Sequence, residues 1–92
     1  MQEEKITKLV TEYKKQQEDK LRQWCIDNPG KVMNNYSTRI NVCTNILNGE
    51  FTIEEMKLIS SACVLLHRAS KSMNGWYVSH RTYEEIIELC NV

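Results

Sequence analysis

Residues that break helices are scarce in this sequence. Its 92 residues include three glycines and one proline, so few positions can stop a helix or form the tight turns that join β-strands. The most β-prone segment, Trp76-Tyr77-Val78, is too short to pair as a strand alone. These shortages favour an all-α fold.

Net charge is absent as well. Twelve Lys and Arg residues balance twelve Asp and Glu residues, so no overall field draws the chain toward DNA, RNA or an anionic membrane. The longest apolar run, residues 62–66, is far shorter than the roughly 20 residues that span a bilayer. The first ten residues lack the apolar stretch of a signal peptide. We therefore expect a soluble, cytoplasmic protein with no membrane span.

Alanine, the best helix former, is rare for a helical protein. It occurs twice, whereas Asn, Lys and Ile occur eight times each. The enriched residues have AT-rich codons. This coding bias indicates an AT-rich genome, such as that of a large phage, another virus or a low-GC bacterium.

Disulfide and zinc patterns are missing from the cysteine spacing. Cys25, Cys43, Cys63 and Cys90 are separated by long, irregular intervals and lie beside apolar residues. Reduced cysteines that pack as small hydrophobic residues fit this pattern better than two disulfides.

Motifs of the common enzyme classes are missing too. The sequence has no P-loop, GxGxxG, HExxH or GxSxG motif. The adjacent carboxylates of Glu54-Glu55 and Glu84-Glu85 diverge by about 100° on a helix, so neither pair forms a shared acid–base site. Neither His67 nor His80 has a carboxylate at a local spacing that indicates a relay. We expect a protein that is not an enzyme and uses no cofactor.

Hydrophobic periodicity predicts one helical domain, residues 1–92, made of about four helices. The boundaries are about 2–27, 33–48, 53–73 and 82–90. Asn28-Pro29-Gly30 and Gly49 are stop signals. Thr52-Ile53-Glu54-Glu55 is a capping box, with Phe51 and Met56 placed as a hydrophobic staple.

The fourth helix is predicted from a second start signal of the same type. Asn74-Gly75 is interpreted as the end of the third helix and Thr82-Tyr83-Glu84-Glu85 as the start of the fourth. Asn-Gly followed by Thr-x-Glu-Glu thus occurs twice, from Asn48 and from Asn74. Convergence of two start signals explains this similarity better than an internal repeat, which remains the alternative.

The third helix is predicted to be central, because apolar residues cover most of its circumference. The first helix, about 39 Å long, exceeds the size of a small core, so its N-terminal half is expected to project and to pair with a second copy. The predicted oligomer interface is Ile6, Leu9, Val10 and Tyr13.

The connection between the third and fourth helices is the predicted partner-binding surface. Loops and the residues Trp, Tyr and Arg are enriched at binding hot spots. The alternative is that Trp76 and Tyr77 fold back and cover the end of the bundle. The candidate partner-binding residues are Arg68, Lys71, Trp76, Tyr77, His80 and Arg81.

A nucleic-acid interface is the first alternative. Val78-Ser79-His80-Arg81-Thr82-Tyr83 resembles the opening of a recognition helix in helix-turn-helix proteins, a likeness of about six residues. That resemblance implies contacts in the major groove of DNA. Glu84, Glu85 and Glu88 follow, and phosphates would repel them.

A zinc-binding structural module is the second alternative. Cys63 and His67 are four residues apart on one predicted helix, and Cys43, His80 and Cys90 could complete a tetrahedral site. The sequence has no C-x-x-C or H-x-x-x-H pair, so a core cysteine and a hydrogen-bonded histidine are the expected roles of the first two.

Small size, neutrality and missing catalytic groups together predict a regulator that acts by binding another protein. Inhibitors, anti-activators and the lysis or anti-defence regulators of phages are the classes of this kind.

Overall fold

The computed structural model describes residues 2–31, 35–70 and 74–91. These residues form four helices: α1 (Gln2–Asp27), α2 (Asn35–Gly49), α3 (Ile53–Ser70) and α4 (Asn74–Cys90). The described residues contain no strand, and the predicted all-α bundle with a long N-terminal helix is confirmed. No helix within these ranges is apolar over enough of its length to cross a membrane.

The end of α1 follows from Asn28-Pro29-Gly30, as predicted. The backbone amide and the side-chain Nδ2 of Asn28 both donate to the Trp24 carbonyl, at 2.9 Å each. Gly30 has a φ of 80°, which glycine adopts without a steric penalty. The Lys31 amide then donates to the Asn28 carbonyl at 3.2 Å, closing the turn.

A tight junction joins α2 to α3. Glu50 has a φ of 51°, and the Phe51 amide donates to the Ile46 carbonyl at 3.2 Å, as in a Schellman motif. The Phe51 ring lies directly over Gly49, where a Cβ atom would overlap it. Gly49 is therefore the last helical residue, and Glu50 takes the left-handed position after it.

The capping box at the start of α3 is confirmed. The Thr52 amide donates to Glu55 Oε1 at 3.1 Å, and the Glu55 amide donates to Thr52 Oγ1 at 3.2 Å. Two amides at the start of the helix thus gain partners.

The start of α4 differs from the prediction. α3 ends at Ser70 and α4 begins at Asn74, so Asn74-Gly75 opens the fourth helix. Thr82 is 1% exposed inside α4, and its hydroxyl donates to the Val78 carbonyl at 2.7 Å. Threonine can satisfy its hydroxyl in this way within a helix, so the second Thr-x-x-Glu is not a capping box. The internal-repeat alternative required a helix start at both Thr-x-Glu-Glu segments, and the second segment lies inside α4.

The predicted central position of α3 also differs from the structure. α3 packs mainly against α4, whereas α4 contacts all three other helices. The pairs α1–α2 and α3–α4 form two helical hairpins, joined chiefly through α4. The apolar residues of α3 lie on two opposite faces, and only one face meets the rest of the protein.

The core draws side chains from every helix. Val10, Cys43, Met56 and Ile86 are at most 1% exposed and belong to one cluster. Half-buried hydrophobic residues, including Trp76 on α4, pack around this cluster. The core thus lies where the two hairpins meet.

The N-terminal half of α1 forms part of this core and does not project. Ile6, Val10 and Tyr13 are 7%, 0% and 7% exposed, and Leu9 is half-buried against them. In the single chain, α1 packs against α2 and α4, so the side chains of the predicted oligomer interface lie in or against the core. The interface itself stays a prediction.

Candidate functional site

The predicted partner-binding residues do not form one surface. Four of the six lie in the first two turns of α4, where the helical period of 3.6 residues points them in different directions. Trp76 is half-buried against the core, as the alternative predicted, whereas Tyr77 is 50% exposed. Arg68 is exposed at the end of α3, and Lys71 lies outside the described residues.

Tyr77 and Arg81 line a polar cleft between α2 and α4. The cleft has a volume of about 300 Å³, and Arg39 of α2 and Glu85 of α4 also line it. Tyr13 donates a hydrogen bond to Glu85 Oε2 at 2.9 Å. Burial, and then Glu85, raise the pKa of the Tyr13 phenol. The cleft combines two guanidinium groups with a carboxylate, so it lacks the single sign of charge that anion binding requires.

A larger groove, of about 440 Å³, lies between α1 and the end of α2. Ile6, Leu47 and Phe51 line it, with Glu4 and Lys8 also contributing. Its apolar residues already pack in or against the core. Little of their surface remains for a partner.

His80 belongs to a hydrogen-bonded chain that the sequence interpretation missed. Its Nδ1 lies 2.8 Å from Ser60 Oγ, and its Nε2 lies 2.9 Å from Glu84 Oε1. With Nε2–H donating to the carboxylate, Nδ1 accepts the Ser60 proton. The carboxylate is four residues after His80, a local spacing the sequence interpretation had denied. Because residues 74–81 were predicted to form a connection, the shared helix face of the two residues was not seen.

Burial restricts what this serine can do. Ser60 is 5% exposed and lies within α3, where neighbouring amides already bond to helix carbonyls. Acyl transfer needs an accessible nucleophile and free amides for the oxyanion. The chain Ser60–His80–Glu84 is better suited to holding α3 against α4.

The cysteines are all free thiols. Cys43, Cys63 and Cys90 are buried, as predicted, whereas Cys25 is exposed. Burial raises the pKa of the Cys43 thiol to about 12. Such a thiol stays protonated at neutral pH, so it is a poor nucleophile.

Metal binding finds no support in the described ranges, where no three His, Cys, Asp or Glu side chains gather closely enough to hold an ion. His67, one of the suggested ligands, instead stacks obliquely with Tyr77, at 5.6 Å between ring centroids.

The helix-turn-helix resemblance does not match the geometry either. Residues 78–83 lie in the interior of α4, and Thr82 and Tyr83 are buried. A recognition helix presents its first residues to the DNA groove. Thr82 and Tyr83 therefore face the core instead, whereas Arg81 is exposed.

The most unusual surface is the outer face of α3. Leu58 and Leu65 are 72% and 64% exposed, and Ala62 and Ala69 are exposed between and beyond them. Successive helical residues are about 100° apart, so these four fall within a sector of about 60°. Met56, Ser60 and Cys63, which face α4, lie on the opposite side. We call Leu58, Ala62, Leu65 and Ala69 the α3 face.

Other residues border the α3 face and give its two ends opposite charges. Leu66, 43% exposed, borders it on one side. Along the other border lie Glu54 near the start of the helix and Arg68 near its end. The helix is thus acidic at its first turn and basic at its last, which also complements the helix dipole. Lys57 approaches Glu54 at 3.6 Å.

Comparisons with protein-family models, curated proteins and solved structures give no match to this chain. Function is therefore inferred from the α3 face and its surroundings.

Proposed function

We propose that this protein acts without catalysis, by docking another protein chain on the α3 face. The supporting observation is the exposure of Leu58 and Leu65 on the same helix face. Scattered exposed leucines are normal on protein surfaces, but a contiguous apolar patch marks an interaction site. Burying one leucine side chain contributes about 1.5–3 kcal/mol, so two such anchors support a specific contact.

Regulation by occlusion is the role we propose for this contact. A single small domain that covers a partner's surface can inhibit it or keep it from its own target. This is the mode of inhibitors, anti-activators and phage lysis or anti-defence regulators. The proposal places the protein in the cytoplasm, where its four free thiols would remain reduced.

Site-specific photo-crosslinking in cells that naturally produce the chain tests the proposal. A photoreactive phenylalanine replaces Leu65 in one variant and Leu58 in a second. Leu89, 42% exposed on α4 and outside the α3 face, is the matched control position. We expect covalent protein adducts from the two α3 positions and none of the same mass from Leu89. Equal adducts from all three positions, or none from α3, would contradict the proposal.

A further inference from the structure

We draw no further inference here: the strongest candidate, the exposed apolar outer face of α3, belongs to the site already described, and nothing in the structure shows which chain covers it.

Discussion

Glu50 holds a backbone conformation that costs most side chains energy. Its φ of 51° lies in the left-handed region, which is unfavourable by roughly 1 kcal/mol for a residue with a Cβ atom. The Schellman bond from the Phe51 amide to the Ile46 carbonyl holds it there. Residue 50 therefore stores strain that the rest of the junction offsets.

Glu50→Gly should increase the free energy of unfolding by about 0.5–1 kcal/mol, because glycine adopts this φ freely. Glu50→Ala, which keeps the Cβ atom, should change it little. Gly49→Ala should lower it, since the new Cβ overlaps the Phe51 ring. Urea denaturation measures all three. A loss of stability in Glu50→Gly would show that the junction is not strained.

Two buried groups make stability depend on alkaline pH. Burial raises the pKa of Tyr83 to about 12 and that of Cys43 to about 12. In the unfolded chain these groups lose their protons near pH 10 and pH 9, whereas the folded chain retains them. The contribution of these two groups to the free energy of unfolding should therefore be fully present below pH 9 and be lost progressively between pH 9 and 12.

Tyr83→Phe should reduce that loss by up to about 1.4 kcal/mol for each pH unit above 10, where the missing phenol would have titrated. Tyr77→Phe, which removes an exposed phenol, is the control. Denaturation at a series of fixed pH values measures the slope. Identical slopes in the two variants would contradict the role of Tyr83.

At the scale of helices, the same Thr-x-x-Glu pattern can begin a helix or lie inside one. The Thr52 hydroxyl accepts a hydrogen bond from the Glu55 amide, whereas the Thr82 hydroxyl donates to the carbonyl four residues earlier. The sequence predicted the end of α1 and the start of α3, because Pro29, Gly30 and the Thr52 box act through local geometry alone. It could not predict the start of α4, since Asn and Gly occur at both ends of helices.

Replacing each threonine by valine distinguishes the two roles. Thr52→Val removes a cap and should lower the free energy of unfolding by about 1 kcal/mol. Thr82→Val removes a hydroxyl that bonds to a carbonyl inside α4, and that carbonyl also accepts a backbone hydrogen bond of the helix. The loss of free energy of unfolding should therefore be smaller. Thermal unfolding compares the two variants. A larger loss of stability in Thr82→Val than in Thr52→Val would contradict the roles given to the two threonines.

The α3 face illustrates what helical periodicity omits. The apolar residues of α3 together predicted a central helix. Leu58 and Leu65 are exposed, however, on the side of the helix opposite Met56 and Cys63. Periodicity identifies two apolar faces but not which one the other helices cover. That choice depends on where α4 lies, which is a tertiary property.

At the scale of the molecule, neutrality hides an ordered distribution of charge. The chain sums to zero, yet α3 has acids in its first turn and bases in its last. A protein with this pattern has little long-range attraction for nucleic acid, whereas the charges at the two ends of α3 complement the dipole of that helix.

The attachment of α3 to a single neighbour has a consequence for its motions. A helix held mainly by α4 can detach without breaking the α1–α2 contact, so its amide hydrogens should exchange with solvent through local opening. Hydrogen exchange followed by mass spectrometry should show faster deuteration of α3 than of α4. Equal rates in the two helices would contradict this. A chain bound to the outer face would suppress this opening, so the exchange rate of α3 would report on binding.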